Sequence, residues 1–180
     1  ISDVTGRMTE MADEEERQRL LALDRPTGPV SLRPGIYGFF GEYSWLSNFH
    51  ISPFMFDGMR VESVEHAYQA AKALGCGDWD GAKTIAHAAT PNLAKNLGKK
   101  YKKLPDGWES AKRYVMRRAV IAKFASDDEL LGQLLATRDL HLEESNWWKD
   151  QCWGTYRGIG ENHLGKILMQ VREELRSGNC

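Results

Sequence analysis

The chain has 180 residues, 42% of them hydrophobic, and its 24 basic side chains nearly balance its 25 acidic ones for a formal net charge of −1. A domain of this size buries a core without disulfide or metal staples, and its near-neutral charge generates no overall field that would draw it onto nucleic acid or a membrane. No stretch approaches the roughly 20 apolar residues of a membrane span, and the opening residues, rich in Asp, Glu and Arg, lack the apolar region of a signal peptide, so an intracellular protein, cytoplasmic or nuclear, is expected.

Residues 1–34 carry a charged run, 13–19, followed by Leu20, Leu21 and Leu23, and then a Pro/Gly-rich passage over 25–35. This predicts a short helix and a linker. Because the sequence does not open on Met, residues 1–34 are read as an accessory extension and linker, with the globular domain over 35–180. From Ile36 the composition turns aromatic and β-branched, Ile36-Tyr37-Gly38-Phe39-Phe40, which predicts a buried strand ending at Gly41. A second strand over 50–56 meets the turn residues Asp57-Gly58 and resumes as Met59-Arg60-Val61, the strongest short hairpin signal in the chain.

Beyond the hairpin the period becomes helical. Val64, Ala67, Tyr68, Ala71 and Leu74 form an apolar stripe behind a capping Ser63, and Gly75 and Gly77 end it. Further helices are predicted over 80–88, 91–100, 108–124 and 127–136, the last with Asp127-Asp128 at its dipole-favoured start. In the final helix Leu164, Ile167, Leu168, Val171 and Leu175 fall on one stripe. Three widely spaced cysteines and five single histidines give neither a disulfide framework nor a metal-ligand cluster, so no metal and no cofactor is expected.

Four features could carry chemistry. Glu65 and Lys72, seven residues apart, share an angular position to within roughly 20° but sit about 10 Å apart along a helix. With Gln69 between them they occupy the edge of the apolar stripe, which is either a solvated rim or the border of a cleft. The segment Tyr43-Ser44-Trp45-Leu46-Ser47-Asn48-Phe49 interleaves hydrogen-bonding side chains with flat rings, as nucleotide- and sugar-binding loops do, although its aromatics could equally serve packing. Asn146-Trp147-Trp148-Lys149-Asp150-Gln151-Cys152-Trp153 sets tryptophans around Asp150, a carboxylate that desolvation would raise in pKa. The run 154–165 is glycine-rich and opens the final helix, where free amides could hold phosphate, or Asn162 could simply be the helix cap.

Taken in order, Leu46-Ser47-Asn48-Phe49, Ser63-x-Glu65-His66-x-x-Gln69-Ala70-x-Lys72, Trp108-Glu109-Ser110-x-Lys112-x-x-Val115-Met116-Arg117-Arg118-Ala119, Lys123-Phe124, Trp153-Gly154 and Gly160-x-Asn162-x-Leu164-Gly165 resemble the NADAR family. The resemblance runs over about residues 36–176. It implies a compact α+β domain, predominantly helical, with a small hairpin or sheet toward its N-terminal side, that cleaves N-glycosidic bonds of ribosyl compounds. Lys72 matches the family lysine that forms a Schiff base with the released sugar, Glu65 matches the acidic residue of the same helix, and Asp150 is a third, less securely aligned, catalytic candidate.

In this reading Trp45, Trp108, Trp147 and Trp153 stack on the base or adenine, while Ser47, Asn48, Phe49, Gln69, Gly154 and Asn162 complete the substrate contacts. The expected partner of this monomer is an ADP-ribosylated guanine nucleotide or nucleic acid. The alternatives are a phosphoribosylamino-pyrimidine of riboflavin synthesis, or an ADP-ribose reader that binds without cleaving. A pure reader has no need of a nucleophilic amine, so retention of Glu65 and Lys72 argues for catalysis.

Overall fold

A computed structural model describes residues 33–178. The predicted N-terminal helix and linker lie, apart from Arg33 and Pro34, outside the described residues. The architecture is α+β and mostly helical. Strand β1 (Gly35–Tyr37) is followed by a 3-10 helix (Gly41–Leu46), the hairpin of β2 (Phe54–Phe56) and β3 (Met59–Val61), and helices α1 (Val64–Gly75), α2 (Trp79–Ala86), α3 (Pro91–Gly98), α4 (Trp108–Ala125) and α5 (Asp128–Ala136). Strand β4 (His141–Glu143) and helix α6 (His163–Ser177) complete it.

The hairpin forms as its turn residues dictate, with Asp57 at φ 47° and Gly58 at φ 78°, both left-handed. The strand predicted over 36–40 is shorter than expected. Gly38, at φ 91°, turns the chain out of β1 while its amide still reaches Glu143 O at 2.8 Å. The strand predicted over 50–56 is likewise confined to its last three residues. β1 pairs in parallel with β4, Gly35 opposite His141 and Tyr37 opposite Glu143.

Helix α1 is central. It packs on α2, α3, α4 and β3, and alanines at 67, 70, 71 and 73 let those neighbours approach closely. The helix is buried nearly all round, Glu65, His66 and Gln69 included, so its polar edge is no solvated rim. Ser63 caps it, accepting from His66 N, and His66 Nε2 lies 3.0 Å from Ala88 O, tying the helix to the end of α2. Gly98 at the end of α3 is required by this packing: a Cβ there would sit 2.0 Å from Gln69 Oε1. On the far side α4 and α6 pack together with Phe124, Leu164 and Val171 fully buried, and each such side chain stabilises the fold by about 1.5–3 kcal/mol.

Candidate active site

One face of α1 opens onto a cavity of about 680 Å³. Glu65, Tyr68, Gln69 and Lys72 enter it from α1, Asn92 and Lys95 from α3, and Ser47, Asn48 and Phe49 from the segment after the 3-10 helix. Phe40 lies before that helix, Met116 is on α4, and Glu144, Trp147, Trp148, Asp150 and Trp153 come from the chain after β4.

Each wall is held by specific bonds. The 47–49 segment is anchored from both sides, since Glu65 N donates to Asn48 O at 3.0 Å and Lys123 Nζ donates to Trp45 O and Ser47 O at 2.6 and 3.0 Å. The Ser47 hydroxyl accepts from Phe49 N at 3.1 Å, and Asn48 Nδ2 reaches Met116 Sδ at 3.4 Å. Opposite, Asn146 exchanges hydrogen bonds with the Asp150 backbone, and Asp150 Oδ1 accepts from Cys152 N and Trp153 N, both at 2.9 Å. Those bonds fix the carboxylate and close the turn that carries Trp153 over the edge of Tyr68.

The electrostatics are those of amines and carboxyls forced together. Burial pushes the Lys72 ammonium below its usual pKa, although the attraction of Glu65 opposes this, and Lys95 and Lys112 push it further down. Lys72 Nζ lies 5.1 Å from the Tyr68 ring centroid and has no hydrogen-bond partner among the described residues. Burial raises Glu65, against the hydrogen bond that Gln69 Nε2 donates at 2.8 Å and the attraction of Lys95 and Lys72. Glu65 and Lys72 form no ion pair. An unbonded amine of lowered proton affinity beside a carboxyl of raised proton affinity suits nucleophilic attack coupled to proton transfer.

Nine of the sequence-predicted residues, Ser47, Asn48, Phe49, Glu65, Gln69, Lys72, Trp147, Asp150 and Trp153, line this cavity. Four are placed elsewhere. Trp45 packs edge-on against Phe124, and Trp108 is buried against Tyr68, and neither ring lines the cavity. Gly154 and Asn162 are buried behind the cavity wall. Asn162 stands at the cap position of α6 but does not cap with its side chain; Nδ2 donates to Leu142 O at 2.9 Å and Oδ1 accepts from Glu144 N at 3.1 Å.

The amides that open α6 are not free to hold a phosphate either. The amides of Glu161, Asn162, His163 and Leu164 are taken by the carbonyls of Gln151, Gly154, Cys152 and Trp153. Sequence reasoning missed Lys95, Asn92, Phe40 and above all Glu144, since none stands in a spacing that marks chemistry. Among the described residues no three His, Cys, Asp or Glu side chains are grouped as metal ligands, and no helix is long and apolar enough to cross a membrane.

A mostly helical α+β domain with a free amine among carboxyls and aromatic walls defines an enzyme-like centre for nucleophilic and acid–base work. The chain belongs to the NADAR domain family, whose model matches residues 38–176. It is 38% identical over 136 residues to the N-glycosidase YbiA of Escherichia coli, covering 74% of this chain and 82% of that protein. The NMR structure of E. coli YbiA superposes with a TM-score of 0.71 at 32% identity, over 86% of this chain and 92% of that one. The riboflavin biosynthesis protein VVA0006 of Vibrio vulnificus is 36% identical over 136 residues, which span only 36% of its length.

Proposed function

We propose that the cavity is the active centre of an N-glycosidase that releases ADP-ribose from ADP-ribosylated guanine through a covalent Lys72 imine. The observation that carries this reading is the Lys72 amine, unbonded among the described residues, lowered in pKa by burial and facing a ligand-sized cavity beside Glu65. N-glycosidase chemistry is the named activity of the E. coli relative.

An N-glycosidic bond breaks with positive charge developing at the anomeric carbon and an electron pair moving onto the departing nitrogen. Neutral Lys72 Nζ attacks that carbon, the bond to the base breaks, and the amine's surplus proton passes to Glu65. Ring opening then gives an imine, which water hydrolyses to free the sugar and restore Lys72. Asp150, held by two backbone amides, stabilises the positive charge on the sugar. The rings of Trp147, Trp148, Trp153, Phe40 and Phe49 supply stacking walls for two flat groups, the guanine and the adenine; the glycine-rich run contributes none of this.

Borohydride added during turnover should leave a stable adduct on Lys72 in the wild type and none in Lys72→Ala, whose turnover should fall by at least about 100-fold. Activity lost in Lys72→Ala with no trappable adduct in the wild type would favour direct attack by water. The second reading, a glycosidase of phosphoribosylamino-pyrimidines, is favoured by the Vibrio vulnificus relative's name. Parallel assays with both substrates decide between them, the larger kcat/KM identifying the substrate.

A further inference from the structure

Glu144 is the one carboxyl of the cavity that the mechanism above leaves unused. It follows β4, whose alternation sends Glu143 outward to His141, Ser145 and Thr155 and leaves Glu144 lining the cavity. Its backbone is fully engaged: the amide donates to Asn162 Oδ1 at 3.1 Å, and the carbonyl accepts from Thr155 N at 2.9 Å and Asn146 Nδ2 at 3.4 Å. The side chain is engaged by nothing; no described residue hydrogen-bonds to its carboxyl.

The glycine-rich run 154–165 packs closely on the backbone at the end of β4. A Cβ on Gly154 would lie 2.1 Å from Glu144 O, one on Gly165 would lie 2.1 Å from Leu142 O, and one on Gly160 would lie 2.4 Å from Gly154 O. Three glycines and Asn162 therefore bring β4, the Trp153 turn and the start of α6 together so closely that the end of β4 is fixed at the cavity wall. These approaches are all to backbone, so they fix where the Glu144 Cα sits and leave its carboxyl to the cavity.

We propose that Glu144 is the general acid of the N-glycosidase reaction, delivering its proton to the departing nitrogen of the base. The division of labour follows from what each carboxyl touches. Asp150 already accepts from two backbone amides and Glu65 from the Gln69 amide, whereas the Glu144 carboxyl has no donor among the described residues and is free to turn its proton toward a leaving group. Burial pushes the Glu144 carboxyl up to about 8, the neighbouring Asp150 and Glu65 add to this, and Lys95 opposes it. Those groups, with Lys72, are the charged side chains that face it across the cavity. As the C–N bond breaks, its electron pair goes to nitrogen and the Glu144 proton follows it; the water that later hydrolyses the imine returns a proton to Glu144.

The proposal rests on the N-glycosidase reading, and a leaving-group comparison separates the two. A pyridinium leaving group departs neutral without a proton, whereas an amino or guanine nitrogen needs one. Wild type, Glu144→Gln and Lys72→Ala are assayed on two substrates matched in sugar and anomeric configuration, an ADP-ribosylguanine and an ADP-ribosylpyridinium, with a phosphoribosyl pair run in parallel. Glu144→Gln should lose about 10²–10⁴-fold in kcat on the guanine or amino substrate while staying within a few-fold of wild type on the pyridinium, with KM little changed on both. In the wild type, kcat/KM on the guanine or amino substrate should fall as pH rises through about 8, and that fall should be absent on the pyridinium.

Equal losses of Glu144→Gln on both leaving groups, or no loss on either, overturn the role of Glu144 alone. The wild-type pH comparison decides the matter if the variant is poorly folded: the same alkaline fall on both leaving groups also overturns it. A wild type that cleaves none of the four substrates overturns the N-glycosidase reading itself.

Discussion

One buried lysine and one half-buried lysine show why a depressed pKa alone does not find a nucleophile. Lys123 is pushed down to about 7 by burial, yet its Nζ donates to two carbonyls, Trp45 O and Ser47 O. A neutral amine has two hydrogens, so both are committed and Lys123 is the anchor of the cavity's 47–49 wall. Lys72, also lowered by burial, has none of these bonds and faces the cavity. The anchor has a thermodynamic signature. An unfolded lysine keeps its proton up to about 10.5, while the folded one sheds it near 7, so between those values folding releases a proton and stability rises with pH, on the order of 1 kcal/mol per unit. Lys72 contributes in the same direction. Glu144 works oppositely: its folded pKa of about 8 lies above the unfolded value, so its contribution is complete below about pH 4.5 and is lost as pH rises through 8. Denaturant unfolding between pH 8 and 10 should therefore show rising stability in the wild type and a clearly flatter profile in Lys123→Met. An unchanged slope in that variant would mean that Lys123 is protonated in the fold.

At the scale of elements, the helices were the most legible part of the sequence, because a 3.6-residue period, Ser63, Asp127 and the terminal glycines act locally. The character of α1 was not. Glu65, Gln69 and Lys72 on one edge look the same in sequence whether they meet water or a cavity, and only the arrival of α3 and the 146–153 segment, both distant in the chain, decides it. The glycine-rich run was legible as a motif, but its purpose was left open between holding phosphate and capping the helix. Free amides at a helix start would bind phosphate, but here four carbonyls of the preceding turn occupy them, and the glycines serve close approach instead. Gly154→Ala should consequently destabilise the protein by about 1–3 kcal/mol, because its Cβ would meet the Glu144 carbonyl, a backbone atom, at 2.1 Å. Turnover should fall well beyond the loss of folded protein, since Glu144 moves with that carbonyl. Thermal melts and active-site-normalised kcat check both; wild-type kcat in a destabilised variant would detach the glycine from the chemistry.

Over the whole molecule, what the sequence could not disclose is non-local. β1 and β4 pair in parallel although more than a hundred residues separate Gly35 from His141, and neither strand is long enough to announce a partner. Arg118 with Asp57 and Arg117 with Glu174 likewise tie α4 to the hairpin and to α6, so part of the family-like Val115-Met116-Arg117-Arg118-Ala119 segment holds elements together and does not line the cavity. Composition, by contrast, speaks directly about the whole surface. A net charge of −1 gives no long-range pull on a polyanion, and the basic side chains nearest the chemistry, Lys72 and Lys95, face the cavity and not a groove along the surface. Few phosphates can then be neutralised at once, and each one neutralised adds about 0.9 to the steepness of affinity against salt on duplex DNA. Recognition concentrated on an ADP-ribosyl group should give an affinity for modified DNA at least about ten-fold above that for the same unmodified oligonucleotide, with a log–log salt slope shallower than about −2. Fluorescence anisotropy with the Lys72→Ala protein, which binds without turning over, at 50–200 mM salt measures both. Equal affinity for the two oligonucleotides, or a steep slope, would place recognition on the nucleic-acid backbone and not in the cavity.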